Sequence, residues 1–113
     1  MQMKPYDPAW NEEISRLLQV LGVPLHRNGY YYLGIGVPKF REDPTQSLCK
    51  ELYPYIASQI RCTGSTAVEH AIRESIRAAW ENRKPEVWRQ YFPESETVPT
   101  NKLFIATLAE RLK

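Results

Sequence analysis

Between Gly64 and Arg83 the chain reads GSTAVEHAIRESIRAAWENR, and in it Val68, Ile72, Ile76 and Ala79 recur every three or four residues. That spacing puts all four on one face of an α-helix, with Trp80 at its edge. The opposite face carries Thr66, His70, Arg73 and Arg77, flanked by Glu69, Glu74 and Glu81. Similar periods appear along the chain, while no segment shows the sustained alternation of a strand and no internal repeat is visible. The expected fold class is therefore all-α, a bundle of about six helices.

Helix boundaries follow from the punctuation. Asp7-Pro8 is a good opening, because an Asp side chain accepts from first-turn amides and Pro tolerates the first helical position. Ile14, Leu17, Leu18 and Leu21 continue from it and Gly22 with Pro24 stops it, which gives a first helix from about Pro8 to Leu21. In NGYYYLGIGVPKFREDP, Asn28-Gly29 reads as a turn, followed by a short helix or strand with the helix preferred. Tyr30, Tyr31 and Tyr32 read as core and rim packing, and Pro38 to Pro44 as a loop.

Asp43-Pro44 repeats the opening motif, and Leu48, Glu51 and Leu52 lead into a helix that Pro54 either ends or restarts through Ile56, Ala57 and Ile60. Cys62-Thr63-Gly64 reads as a tight turn with a positive φ at Gly64, and Ser65 or Thr66 as the cap of the next helix. Pro85 to Phe92 is a short helix burying Val87, Trp88 and Tyr91, with a loop from Pro93 to Pro99. Thr100 caps a last helix whose inner side is Leu103, Phe104, Ala106, Thr107 and Leu108.

With 113 residues, 42% of them hydrophobic and 25% charged, the chain fits one globular domain spanning 1–113. No apolar run approaches the roughly 20 residues of a membrane helix. Met1 to Pro5 lacks the layout of a signal peptide, so a cytoplasmic location is expected. Cys49 and Cys62 have no second Cys or His at metal-ligand spacing and read as reduced thiols. No metal or cofactor is implied. His26, His70, Cys49 and Cys62 fall on different elements with no nucleophile–base signature, and there is no phosphate-binding Gly loop, so catalysis is not expected.

A short helix, a Gly-containing turn and a longer helix with exposed basic residues is the pattern of a helix-turn-helix, here at about 54–82, with Ser65 to Asn82 as its second helix. The charge is moderate: from Arg61 to Lys84, five basic residues face three acidic ones, and the net charge of the chain is +2. That balance permits a nucleic-acid partner without demanding one. Helical surface pairs worth only about 0.2 to 0.5 kcal/mol each explain the same charges as a solvated face.

Four blocks bear on the choice between these readings: GVPLHRNGYYYL (22–33), LYPYIA (52–57), VEHAIRESIRAAW (68–80) and PTNKLFIA (99–106). In this order they resemble the DNA-binding effector domain of the stage-zero sporulation response regulators, over nearly the whole chain from about Ile14. The resemblance implies a six-helix domain whose helix-turn-helix reads a short box of double-stranded DNA, as paired or tandem copies, and touches RNA polymerase. It places a base-contacting Glu at Glu69, the Arg after it at His70, an earlier Arg at Ala67 and a later one at Arg73. Two of the four positions thus lack arginine, whose paired donors to guanine are worth about 1 to 3 kcal/mol of discrimination. The turn before the recognition helix is slightly longer than in the family, and Gly34 to Pro44 is richer in Gly and Pro.

The expected DNA-contacting set is Ser65, Thr66, Glu69, His70, Arg73 and Arg77, with Arg27 and Asn28 beside a turn within reach of a phosphate. The chain begins only a few residues before the effector region, which reads as a stand-alone paralogue without a receiver domain. The rival expectation is a protein-interaction module that keeps the fold and acts on a full-length sporulation regulator, its own copies or RNA polymerase without reading bases.

Overall fold

A left-handed glycine, Gly22 at φ +83°, closes the first helix, α1 (Glu12–Val20). The Val23 N–H donates to the Leu18 carbonyl and the Gly22 N–H to Gln19, a Schellman closure that satisfies two terminal carbonyls. The computed structural model describes residues 12–61 and 63–112. The Asp7-Pro8 opening and Cys62 lie outside those residues.

Helix α2 (Asn28–Glu42) runs straight through Pro38, so the loop expected from Pro38 to Pro44 is in fact mostly helix. A proline inside a helix costs about 3 kcal/mol. Val37 and Phe40, on either side of it, are buried, and each buried side chain of that size returns about 1.5–3 kcal/mol. Packing therefore outweighs the local penalty. Gly36, which weakened the helix expectation, serves close packing instead: a Cβ there would come 2.7 Å from Ile56 Cδ1.

Asp43 does not open a helix as expected. It caps the end of α2, and its carboxylate accepts from the Thr45 N–H and hydroxyl, which holds its pKa below the ordinary value. Ser47 takes over as the cap, accepting from the Lys50 N–H while its own N–H donates to Glu51. A π-type turn (Leu48–Leu52) follows and leads directly into α3 (Tyr53–Ile60). The wide turn precedes Pro54, whose ring would press on the Lys50 carbonyl in a regular helix.

Two expectations about the next turn are overturned. Gly64 is extended, at φ −113°, and the left-handed residue is Arg61, at φ +78°. Gly64 is itself the N-cap of α4 (Ser65–Glu81), with no side-chain cap, so Ser65 and Thr66 lie inside the first turn. The expected inner face of α4 holds: Val68, Ile72, Ile76 and Ala79 are buried.

Helix α5 (Pro85–Tyr91) buries Trp88, while Val87 and Tyr91 are only half-buried. Thr100 caps α6 (Asn101–Arg111) as expected, through the Leu103 N–H. Its inner face is rotated from the expected one: Phe104, Ile105, Leu108 and Ala109 are buried, whereas Leu103 is 45% exposed. Ala106 and Thr107 are intermediate.

Among the described residues the molecule is all-helical, with six α-helices and no strand. α2 lies at the centre, packed mainly by α4 and α6 and also by α1 and α3. Tyr30 and Tyr32 are buried and Tyr31 is half-buried, as expected. An aromatic nest closes the other side, with Trp88 against Trp80, Phe92 and Phe104 at 5.2 to 6.0 Å between ring centroids. The Trp88 indole N–H donates to the Leu21 carbonyl at 3.0 Å, tying α5 to the end of α1.

Candidate nucleic-acid interface

Burying one side of α4 against α2 forces the other side outward, and Thr66, His70, Arg73 and Arg77 are all exposed there. Ser65 and Glu69 are intermediate, at the edge of the same surface. The structure thus brings six of the expected residues together on one helix.

Charge on this surface is internally organised. The Glu69 carboxylate accepts from Arg73 Nη1 with one oxygen, and its other oxygen lies 3.3 Å from His70 Nε2. Arg77 is looser, 3.9 Å from Glu74 across one turn. Arg73 and His70 are still about half and two-thirds exposed, so both remain open to a ligand. Exposed pairs of this kind are worth roughly 0.2–1 kcal/mol and yield readily to a denser array of negative charge. At the far end of α4 the Arg83 guanidinium stacks on the Trp80 ring at 3.6 Å and donates to the Trp80 carbonyl.

Arg27 and Asn28 are placed beside α4 only through their neighbour Gly29. Both are exposed where α2 starts, and the next residue, Gly29, is pressed against α4. A Cβ there would fall 2.1 Å from Ser75 Oγ and 2.4 Å from the Ala71 carbonyl oxygen, so only glycine fits. Ala71 and Arg73 are about 200° apart around the helix. Arg27 and Asn28 therefore stand on a separate element beside α4, away from the Arg73 flank.

On the Arg73 flank an open depression of about 760 Å³ runs between α4, the π-type turn and the start of α6. Tyr53, Asn101 and Lys102 line it, and none of them was singled out from the sequence as a site residue. Asn101 Nδ2 donates to Tyr53 Oη at 3.1 Å and to the Glu69 carbonyl oxygen at 3.2 Å. Burial pushes the Tyr53 phenol above its ordinary pKa and Glu69 and Cys49 add to the rise, while the Asn101 bond and Arg73 pull the other way. The signal available in the sequence was the PTNKLFIA block, whose Thr100 cap fixes the residue after it.

Among the described residues no group of three or more His, Cys, Asp and Glu side chains is placed to hold a metal ion. Among the same residues no helix is long and apolar enough to cross a membrane. The outward side of α4 offers His70, Arg73 and Arg77 as exposed hydrogen-bond donors.

Residues 14–112 match the family described as the sporulation initiation factor Spo0A C terminal, which takes in every helix described above except the first two residues of α1. This is a family of DNA-binding effector domains of a transcriptional regulator, not of enzymes. The chain belongs to the Spo0A C-terminal family.

Proposed function

We propose that this protein is a sequence-selective DNA-binding transcriptional regulator, a single domain over 1–113 in which α3 and α4 form a helix-turn-helix and α4 enters the major groove. The observation that carries this reading is the exposed Thr66–His70–Arg73–Arg77 face of α4 in a member of this family. Glu69, His70 and Arg73 face base edges. Ser65, Thr66 and Arg77, with Arg27 and Asn28 from the start of α2, hold phosphates and fix the register. The protein works in the cytoplasm, its copies pair on DNA, and it touches RNA polymerase.

Arg73 is the strongest reader, because its guanidinium offers two parallel donors to guanine O6 and N7. His70 supplies one bond at most and Ala67 none. The box recognised therefore differs in stringency from one read by a helix with three arginines.

The Glu69–Arg73 pair also supports a second reading, a module that binds a sporulation regulator or polymerase without reading bases. Fluorescence anisotropy separates the two. A labelled duplex carrying the family's DNA box and a scrambled duplex are titrated across a range of salt concentrations. Specific sites normally bind about 10³-fold or more tighter than non-specific ones. A preference of that order is the expected result, and no binding to either duplex at low salt would overturn the DNA reading.

A further inference from the structure

We infer that Asn101 is a positioning residue that fixes the first turns of α4 against α3, and so sets how the reading helix is presented. The inference rests on the DNA-reading role proposed for α4. Both hydrogens of one side-chain amide are used, one on Tyr53 Oη at 3.1 Å and one on the Glu69 carbonyl at 3.2 Å. A single group thereby joins the first residue of α6, the first residue of α3 and the first turns of α4.

Two features separate this arrangement from ordinary satisfaction of a half-buried amide. The Glu69 carbonyl already serves the i→i+4 ladder of α4, so it needs no second donor. Glu69 is also the residue whose carboxylate gathers Arg73 and His70, so Asn101 holds the backbone beneath the organising side chain of the exposed face.

Asn101 is itself braced. Pro99 before it is buried, and Thr100 caps α6 by accepting from the Leu103 N–H, while its carbonyl accepts from Phe104, which is fully buried in the aromatic nest. Tyr53 is 4% exposed at the head of α3. The latch thus runs from the core to the reading helix through groups with little freedom. α4 has no side-chain cap of its own, which leaves its first turns dependent on such outside contacts.

The test pairs Asn101→Ala with Tyr53→Phe and reads amide hydrogen exchange in the free protein alongside duplex binding. Losing the latch is expected to speed exchange over residues 68–73, where the α4 ladder begins, by about fivefold to tenfold, the scale of one net hydrogen bond, while Ile105 to Ala109 stay as protected as in the parent. Preference for the box over the scrambled duplex falls by a similar factor, and affinity for the scrambled duplex and its salt slope are unchanged. Tyr53→Phe keeps the Asn101–Glu69 bond but frees its anchor, and shows the same pattern at smaller amplitude. It decides the matter if Asn101→Ala does not fold. Unchanged exchange over residues 68–73, or an equal fall in affinity for both duplexes, would overturn the inference. A parent with no preference for either duplex would remove the DNA reading alone, because exchange reads the latch without DNA.

Discussion

Arg73 reaches back one helical turn to Glu69, so in the free protein the strongest candidate reader is already paired. Docking on DNA has to exchange that carboxylate for a base edge or a phosphate. Glu69→Gln removes the competing charge. Non-specific affinity is expected to rise about threefold to tenfold at low salt, with a steeper salt slope, because one more cation is free to displace counterions. Titration of a scrambled duplex at several salt concentrations checks it.

Arg73→Ala removes the paired donors without touching the core, since the side chain is about half exposed. Specific affinity should fall by about 1 to 3 kcal/mol, roughly fivefold to 150-fold, and discrimination at one position of the box should relax. The circular dichroism spectrum and thermal midpoint should match the parent. Equal affinity of parent and variant for the preferred site would take Arg73 out of its role.

Gly29→Ala would put a methyl group on the α4 backbone at Ala71, a neighbour that cannot swing aside. Overpacking of this kind costs typically 1–3 kcal/mol, and contact with backbone belongs at the upper end. Urea unfolding should show that loss, and the shift of α4 should weaken box binding beyond what stability explains.

Arg61→Gly should stabilise the protein. Arg61 holds φ +78°, a conformation that costs an L-residue roughly 1–2 kcal/mol, and glycine adopts it freely at some cost in unfolded-chain entropy. A net gain of about 0.5–1 kcal/mol in chemical denaturation is expected. An unchanged or lowered midpoint would contradict it.

Alkaline stability should depend on Tyr53. Its folded pKa is raised from 10.0, first by burial, so the folded state holds the phenolic proton more tightly than the unfolded chain does. Stability from this group is full below the unfolded pKa of about 10 and is lost as pH rises toward the folded value. Tyr53→Phe should flatten the fall in urea midpoint above pH 10 relative to the parent.

Much of this was legible in the chain. The 3.6-residue period of Val68 to Ala79 marked both the buried side of α4 and its exposed surface, because a single long helix obeys its own geometry. The resemblance carried by the four blocks implied the six-helix domain. Local rules failed where a distant partner decided the outcome. Pro38 suggested the start of a loop and Gly34 and Gly36 weakened the helix before it, yet burial of Val37 and Phe40 and the close approach of Ile56 to Gly36 keep α2 helical. Gly64 looked like the left-handed residue of the turn, but the strain falls on Arg61. Asn101 was invisible as a site residue because its partners lie 48 and 32 positions away.

The central place of α2 has a consequence for biogenesis. α2 is made early in the chain, but one of its two main partners is α6, which follows every other helix. While the ribosome still holds α6, an apolar side of α2 has no cover, and Phe104 is missing from the aromatic nest around Trp88. Stable structure should therefore form only after α6 has left the exit tunnel. A pause in translation before residue 101 would leave a nascent chain exposed to chaperones and proteases rather than a partly active domain.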